Sequence, residues 1–527
     1  MNRFRIAVLA VTAAVAGAFA AAPAPTAPYE SRAPLVPRGR IDELVFGKLQ
    51  ELGIQPANLC SDAVFVRRAY LDAIGTLPTA KEAAAFLQDP SPDKRQSLVE
   101  ELLAREEFAA YWAMKWSDLL RVKAEFPINL WPNAAQAYHR WIYASVRANK
   151  PYDRFVRELL TASGSNFRDP AVNFYRAMQS REPAGIAKAV ALVFLGERAE
   201  KWPEDRLAGM AAFFSRIGYK DTGEWKEQIV YFDAASAPEG PLARPVFPDG
   251  RPAALKPGQD PRAVFAAWLV SPENPWFARA IVNRAWFWMM GRGIIHEPDD
   301  IRPDNPPSNP ELLAYLEREL ISSGYDLKHI FRLILNSTAY QLSFIPRSDD
   351  PRAAAQFASY PLRRLEAEVL ADALCQITGT TESYSSMIPE PFTYIPPDLR
   401  SVSLPDGSIS SSFLELFGRP PRDTGLESER NNKISAGQRL HLLNSSHIQL
   451  KLQQGPALRS LLRRTNKPDQ VVRTLYLMIL SRPPSASEWE AIKSYPELRA
   501  DDKPRPGEAM VDLAWALINT DEFLYRH

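Results

Sequence analysis

The chain has 527 residues, which is long enough for two or three domains. Hydrophobic residues make up 46% of it and aromatic residues 10%, a composition that excludes a disordered chain. The formal net charge of +1 gives no electrostatic reason to expect nucleic acid as a partner. We therefore expect a globular protein whose 46 prolines mostly separate periodic segments.

The first twenty residues have the pattern of a secretory signal peptide. Arg3 and Arg5 precede an uncharged apolar run over residues 6–18, which is too short to span a bilayer comfortably. A small-x-small site comes next, so we predict cleavage after Ala20 and export to the periplasm or beyond. Cleavage lowers the basic count from 63 to 61 against 62 acidic residues, a net charge of −1. We expect no transmembrane span after cleavage, because no later segment is long and apolar enough.

Helical patterns dominate the chain after the signal peptide. Residues 21–39 are rich in Pro and Ala, and we interpret them as a flexible leader. A first domain is expected over residues 40–233, where apolar residues recur at helical spacing. Thr79 and Glu82 form a capping box, since each side chain can satisfy an orphan backbone N–H. Residues 228–233 are the best strand candidate.

The second half of the chain is also predicted to be helical. Residues 234–260 are rich in Pro, Gly and Ala, and we place a linker there. A second domain is expected over residues 261–527, with Asn309 and Asp326 as helix caps. Residues 380–412, rich in Ser, Pro and Thr, are expected to form a long ordered loop or a lid. These patterns predict a mainly α fold of two helical domains with a short β/coil connector.

Four tryptophans lie among apolar positions between residues 111 and 143. They are Trp112, Trp116, Trp131 and Trp141. A groove lined by tryptophan could bind sugar, but large aromatic residues at helical spacing more often form core. We therefore predict that these side chains belong to the hydrophobic core.

Several stretches of the chain occur in an ordered succession that points to a family. In the first half they are Val66–Asp72, Gly75–Thr79, Phe86–Asp89 and Trp112–Asp118. They resemble the planctomycete cytochrome-like domain of unknown function. In the second half they are Asn274–Arg279, Val282–Trp286, Gly291–Ile294, Asn305–Leu313 and Phe417–Arg422. These are similar to its usual partner, the planctomycete-specific domain of unknown function, and the resemblance implies no settled activity.

One departure from the family pattern concerns haem. Many members of the cytochrome-like family carry a Cys-x-x-Cys-His motif, in which two thiols attach c-type haem and the histidine ligates its iron. The corresponding segment here, Phe194–Trp202, contains neither cysteine nor histidine. Thr424–Arg430 likewise lacks cysteines that relatives often carry. We therefore predict no cofactor and expect no c-type haem.

The densest group of potential hard-metal ligands consists of His296, Asp299, Asp300 and Asp304. Carboxylates together with an imidazole are suited to a divalent cation. The alternative, which we favour, is that acidic residues before a capped helix serve capping and solvation. The group also lacks the i, i+4 spacing of a zinc-binding histidine pair.

An arginine-rich segment is the main candidate for ligand binding. Arg419, Arg422 and Arg430 lie there with Glu427 and Glu429. Two guanidinium groups offer paired donors in a plane and can clamp a sulfate, phosphate or carboxylate. The alternative, which we favour, is an Arg–Glu network that pins this loop to its domain.

Arg284 and Arg292 are further candidates for ligand binding, because they flank a Trp-rich segment. Stacking or salt bridging explains these two arginines equally well. Cys60 and Cys375 are the two cysteines, and they could pair in an oxidising compartment. The sequence does not show whether their thiols meet.

Signatures of nucleophilic catalysis are weak. Ser445, Ser446 and His447 suggest a nucleophile and a base, but neighbours in sequence rarely meet in catalytic geometry. No Gly-x-Ser-x-Gly elbow and no Walker-type loop occurs. His441 is isolated in sequence, and we expect it at the surface or satisfied in the core.

Two functions from different classes remain. The leading hypothesis is an exported, non-catalytic binding or assembly protein, with an envelope protein or a polysaccharide as partner. The alternative is an enzyme or enzyme accessory acting on an exported polymer such as a sulfated polysaccharide, which rests mostly on family-level analogy. A third function, electron transfer, requires that a partner protein supplies the haem. A cleft that unites Arg419, Arg422 and Asp299 would favour an enzyme, whereas a flat aromatic patch would favour a binding module.

Overall fold

The computed structural model describes residues 26–464, 467–494 and 506–527. The fold is mainly α, as predicted from the helical spacing of apolar residues. The predicted signal peptide and its cleavage site after Ala20 lie outside the described residues. Within the part of the chain that is described, no helix is long and apolar enough to cross a membrane.

The first half packs its helices before the predicted linker. They are α1 (Arg40–Leu52), α2 (Asp62–Ile74), α3 (Ala80–Gln88), α4 (Lys94–Ala104), α5 (Glu106–Leu119), α6 (Pro132–Arg147), α7 (Tyr152–Thr161), α8 (Asn173–Arg176), α9 (Pro183–Val190) and α10 (Glu204–Ala211). The predicted capping box at the start of α3 is present: Thr79 accepts from the N–H of Glu82, and Glu82 accepts from the N–H of Thr79. A π-helical turn, Ala191–Leu195, continues α9.

A small antiparallel sheet accompanies the helices of the first half. Its strands are β1 (Gly164–Ser165), β2 (Ile217–Asp221) and β3 (Gln228–Phe232), in the order β1-β3-β2. The register pairs Tyr219 with Val230, which is fully buried. The predicted strand at residues 228–233 is therefore confirmed as the central strand of this sheet.

The second half is helical from residue 261 onward. Its helices are α11 (Pro261–Leu269), α12 (Phe277–Met290), α13 (Pro310–Ser322), α14 (Leu327–Asn336), α15 (Ala367–Thr378), α16 (Ser412–Leu416), α17 (Ala436–Asn444), α18 (Ser446–Gln454), α19 (Pro456–Arg464), α20 (Pro468–Leu480), α21 (Ala486–Ser494), α22 (Pro506–Ile518) and α23 (Asp521–Leu524). Asn309 and Asp326 cap α13 and α14 through their side chains, as predicted. Strands β4 (Arg363–Arg364) and β5 (Tyr525–Arg526) pair and bring the C-terminus to the start of α15.

One continuous hydrophobic core runs through both halves of the chain. Trp112 of α5 stacks on Phe331 of α14 with ring centroids 4.3 Å apart. Tyr152 of α7 stacks in the same way on Phe277 of α12, at 4.8 Å. Aromatic pairs of this kind contribute about 0.5–1.5 kcal/mol beyond the burial of their area. The boundary predicted at residues 234–260 therefore separates two stretches of sequence that share a core.

Helix α2 ties the halves together through buried polar side chains. Arg68 donates to the carbonyl oxygens of Tyr340 at 2.5 Å and Leu342 at 2.9 Å. Asp72 accepts from the hydroxyl groups of Tyr340 at 2.9 Å and Tyr360 at 2.7 Å. These bonds satisfy charged groups that are otherwise costly to bury. The Arg and Asp positions of a stretch that carries the family resemblance thus serve to join the two halves.

The predicted flexible leader is corrected for its described part, residues 26–39. The Tyr29 ring packs against Phe344 at 5.5 Å, and Glu30 forms a buried ion pair with Arg347 at 2.8 Å. The hydroxyl group of Thr338 donates to the carbonyl oxygen of Val36 at 2.8 Å. The composition alone suggested a free segment, because these partners lie about three hundred residues away in sequence.

The predicted linker carries one aromatic residue that is packed into the fold. Phe247 stacks between Phe213, at 4.9 Å, and Trp268 of α11, at 5.0 Å. This contact fastens the end of the first half to the beginning of the second. The linker is therefore held in one position although it is rich in Pro and Gly, because the Phe247 ring is packed between two other rings.

Candidate functional site

The arginine-rich segment predicted to clamp an anion is buried in the structure. The side chains of Arg419, Arg422 and Arg430 are 3%, 1% and 6% exposed. Their carboxylate partners are Asp118 on α5 and Glu368 on α15. Arg430 donates to both oxygen atoms of Glu368, at 2.6 and 3.1 Å, and to Asp118 at 2.6 Å.

The remaining arginines of this segment use the same two carboxylates. Arg422 donates to Asp118 at 2.9 Å, and Arg419 lies 3.5 Å from Glu368. Burial raises the pKa of Asp118, but Arg430 and Arg422 outweigh it, so its pKa lies below the ordinary value. Burial lowers the pKa of Arg419 to about 10. The geometry favours the structural network that pins the loop, with the difference that its carboxylates come from distant helices.

The two glutamates of the segment have other partners. Glu429 accepts from the backbone N–H of Asp423 at 2.9 Å and of Thr424 at 3.3 Å, which closes the turn of the loop. Glu427 accepts from the indole N–H of Trp288 at 3.2 Å. The pKa of Glu427 is raised by burial, because the carboxylate is withdrawn from water.

Arg284 and Asp299, predicted as members of two different sites, bind each other. The distance between Arg284 Nη2 and Asp299 Oδ1 is 2.6 Å, and both side chains are almost completely buried. Arg284 also donates to the carbonyl oxygen of Val193 at 2.9 Å, in the π-helical turn. The other oxygen of Asp299 accepts from the backbone N–H of Glu427 at 2.7 Å. The pair therefore joins α12, the first half and the arginine-rich segment.

The remaining predicted metal ligands lie at the surface. Asp300 and Asp304 both accept from the guanidinium group of Arg302, at 3.1 Å each. His296 is exposed, and its pKa is lowered by partial burial and by the nearby charge of Arg292. Among the described residues, no group of three or more His, Cys, Asp or Glu side chains is arranged to hold a metal ion. The structure gives the metal hypothesis no support.

Two histidines separated in sequence meet in the structure. His441 Nε2 lies 3.2 Å from His447 Nδ1, and His447 Nε2 lies 3.1 Å from a carboxylate oxygen of Glu382. Lys451 of α18 pairs with Glu382 at 3.3 Å and also lies 3.3 Å from the sulfur of Cys375. Cys375 and Cys60 are both free thiols. This chain of contacts fastens the start of the 380–412 loop to α18.

The feature that sequence reasoning missed is an exposed group of aromatic and apolar side chains, which we call the aromatic surface. It consists of Trp131, Trp225 and Phe392, and the exposed Phe126 and Met387 lie on the same two segments of the chain as Trp131 and Phe392. Phe126, Trp225, Met387 and Phe392 are 80%, 65%, 86% and 41% exposed. Large apolar side chains are individually common at surfaces, but several of them in contact are a candidate interaction site.

The rings of the aromatic surface come from three separate segments. Trp131 immediately precedes α6, Trp225 lies in the turn between β2 and β3, and Phe392 belongs to the 380–412 loop. The Trp131 ring centroid lies 5.2 Å from that of Phe392 and 6.3 Å from that of Trp225, both in edge-to-face contact. The ammonium group of Lys226 lies 5.3 Å from the Trp131 ring and 5.2 Å from the Trp225 ring. A cation is thus held beside two indoles at the surface.

The backbone beneath this surface adopts an uncommon conformation. Trp131 has φ 72° and Lys226 has φ 60°, in the left-handed region that bulky residues avoid. Such conformations cost about 1–3 kcal/mol each and cluster at functional sites. The turn that precedes Trp131 is joined to the 380–412 loop by Glu125, whose carboxylate accepts from the backbone N–H of Met387 at 3.1 Å.

The four tryptophans assigned to the core differ in burial. Trp112 and Trp116 are 2% and 4% exposed and belong to the core, as predicted. Trp141 is half-buried and stacks on Phe155 at 4.9 Å. The prediction was wrong for Trp131, which is part of the aromatic surface. The signal that it differed is Pro132, which places Trp131 before the helix and outside its apolar stripe.

Comparisons with known proteins agree on the family. PSCyt2, described as a protein of unknown function (DUF1549), matches residues 40–210. PSD1, described as a protein of unknown function (DUF1553), matches residues 261–496. No curated protein and no solved structure matches the chain. The chain therefore has the planctomycete two-domain arrangement, in which a PSCyt2 domain is followed by a PSD1 domain.

Proposed function

We propose that the protein is an exported binding protein whose aromatic surface holds an anionic polysaccharide. The observation that carries this proposal is the placement of Lys226 against the rings of Trp131 and Trp225, with Phe392 alongside. Export is supported by the signal-peptide pattern of residues 1–20.

A sugar chain fits this surface for chemical reasons. The C–H faces of pyranose rings are apolar and pack flat on aromatic rings, while their hydroxyl groups stay in water. Trp225 is 65% exposed and Phe392 41%, so ring faces are accessible without rearrangement. The ammonium group of Lys226 supplies a partner for a sulfate or carboxylate group on the same chain.

The geometry supports binding better than catalysis. The cleft expected for an enzyme, uniting Arg419, Arg422 and Asp299, is not formed, since those side chains are buried in ion pairs with other residues. The aromatic surface instead presents exposed rings, in edge-to-face contact around Trp131, and this supports the binding hypothesis. Its backbone is strained at Trp131 and Lys226, and strained backbone is frequent at functional sites.

Affinity electrophoresis tests this proposal directly. The mature protein is run in native gels that contain dextran sulfate, a carboxylated polysaccharide such as alginate, or neutral dextran. We expect the two anionic polymers to retard the wild type and neutral dextran to retard it less. Trp225→Ala and Phe392→Ala should each abolish most of the retardation, because each removes an exposed ring.

Matched variants separate binding from folding. Leu440→Ala removes an exposed apolar side chain, 59% accessible, that lies outside the aromatic surface, and it should migrate as the wild type does. Circular dichroism and thermal melting should be unchanged in all three variants. Unaltered migration of the wild type in every gel, or equal retardation of wild type and Trp225→Ala, would refute the proposal.

A further inference from the structure

A cavity lies between the two halves of the chain and shares no residue with the aromatic surface. It has a volume of about 320 Å³. Its cationic walls come from Arg121, just after α5, from Lys188 of α9 and from Arg198, just after the π-helical turn. The second half contributes Asp423 and its neighbours from the arginine-rich segment. We call this cavity the basic cleft.

Arg121 is the most deeply buried cation that lines the basic cleft. Its side chain is 4% exposed, and its two hydrogen-bonded acceptors are backbone carbonyls, of Ala177 at 2.8 Å and Thr424 at 3.1 Å. Its third nitrogen, Nη2, has no partner among the described residues. Arg430 differs from Arg121 in that its guanidinium group donates to two carboxylates, Glu368 and Asp118. Arg121 is a buried cation that forms no ion pair within the described part of the chain; burial lowers its pKa to about 10, although the more distant charge of Glu429 acts in the opposite direction.

The other donors around the cleft complement Arg121. Lys188 lies one turn after Gly185, which stands in the first turn of α9, where backbone N–H groups have no partner within the helix. Arg198 donates to Glu297 at 3.0 Å through Nη2, while its buried Nε has no partner among the described residues. Residues that carry several such donors therefore line one cavity.

Two carboxylates also line the basic cleft. Asp423 is neutralised by Lys123, whose ammonium group lies 2.6 Å from it. Glu200 is exposed, so its charge is screened by water. With Arg198 paired to Glu297, two lining cations, Arg121 and Lys188, remain to balance Glu200 and a ligand.

We infer that the basic cleft binds a small organic molecule that bears a sulfate or phosphate group. A guanidinium nitrogen without a partner, an ammonium group and the first turn of a helix are donors that together recognise tetrahedral oxyanions. Met178, Ala189, Leu192 and Leu426 form an apolar part of the lining. The cavity is larger than one oxyanion, and its size and mixed lining suit a sugar-sized body attached to the anionic group.

Isothermal titration calorimetry with five probes tests this inference. The probes are glucose 6-phosphate, glucose 6-sulfate, glucose, inorganic phosphate and inorganic sulfate, at constant ionic strength. We expect saturable binding of at least one ester. Lys188→Gln and Arg121→Lys should each weaken it roughly tenfold or more, the effect of losing one charge-assisted hydrogen bond. Lys220→Gln, an exposed lysine on β2 that does not line the cleft, should bind as the wild type does.

Each outcome of the titrations either supports or overturns the inference. Binding of the inorganic ions as tightly as the esters supports the oxyanion site and assigns it to the free ion. Absence of saturable binding by all four anions, equal binding of glucose, or equal affinity in Lys188→Gln and wild type would overturn the inference. Trp225→Ala should leave this binding unchanged, so failure of the basic cleft is distinguishable from failure of the aromatic surface.

Discussion

Arg430 donates one hydrogen bond to each carboxylate oxygen of Glu368, at 2.6 and 3.1 Å, although the two residues are sixty-two positions apart in sequence. The same guanidinium group also donates to Asp118, so α5, α15 and the arginine-rich segment meet at one cation. Burying a charge is tolerable only when its partners are held in good geometry. The segment that resembles an anion clamp in sequence is thus a structural joint.

The first prediction concerns this joint. Arg430→Ala should lower the free energy of unfolding by about 2–4 kcal/mol, because it removes three charge-assisted hydrogen bonds and leaves Asp118 paired only with Arg422 and Glu368 only with Arg419. Arg430→Lys should restore little, since an ammonium group lacks the planar fork. Arg439→Ala is the control: its side chain is 61% exposed and lies 3.8 Å from Asp521, so the loss should stay below about 0.5 kcal/mol. Urea unfolding monitored by tryptophan fluorescence measures these changes, and equal midpoints for Arg430→Ala and Arg439→Ala would contradict the joint.

The second prediction concerns pH. His139 is 8% exposed, and burial, with the charges of Arg422 and Arg140, lowers its pKa to about 3. The unfolded chain binds a proton at this residue below about pH 6.5 whereas the folded chain does not, so the contribution to stability is lost as pH falls. Between about pH 7 and about pH 5 the loss from this residue should be about 2 kcal/mol. His139→Gln should show a flatter dependence in urea unfolding at the two pH values, and parallel slopes for variant and wild type would count against a buried neutral imidazole.

The third prediction compares two glycines. Gly47 lies within α1, is exposed, and has no atom within 4 Å of an added Cβ, so Gly47→Ala should stabilise by about 0.5–1 kcal/mol. Gly425 has φ +75°, and its Cβ would lie 2.7 Å from the carbonyl oxygen of Leu119. Gly425→Ala should therefore destabilise by at least about 1–2 kcal/mol, the cost of the left-handed backbone alone. Thermal melts of the two variants should shift in opposite directions, and a shift in the same direction would contradict one of these two environments.

The fourth prediction concerns salt. If Lys226 pairs with the charged groups of a polysaccharide, binding of dextran sulfate by the wild type should weaken as NaCl rises from about 0.05 M to about 0.5 M, because exposed charge pairs are screened. Lys226→Gln should bind more weakly at low salt and depend less on salt. Trp225→Ala should lower affinity at every salt concentration, since ring packing is not ionic. Parallel salt curves for wild type and Lys226→Gln, measured by affinity electrophoresis, would remove the ammonium group from the binding site.

Much of the local structure was predictable from short-range chemistry. The capping box of Thr79 and Glu82 and the caps Asn309 and Asp326 act within one helical turn, so their residue types suffice to predict where helices start. The predicted strand at β3 is explained by a run of β-branched and aromatic residues. These features depend on neighbours in sequence, and the structure confirms them.

The candidate sites were less predictable, because their partners are remote. Arg422 and Asp118 lie far apart in sequence, and no local sequence pattern predicts their contact. Trp131 looked like core from its neighbours, yet Trp225 and Phe392 meet it at the surface. A side chain's role as ligand, counter-ion or core residue depends on what the rest of the chain places beside it.

The sequence by itself determined the helical class, the positions of several caps and the family, since these are written in periodicity and in ordered motifs. Only the tertiary structure decided that Arg430 pairs with Glu368, that Arg284 pairs with Asp299, and that Nη2 of Arg121 is left without a partner among the described residues. The physical reason is that a charge is neutralised by whichever group lies within a few ångströms, and folding brings together groups that are hundreds of residues apart.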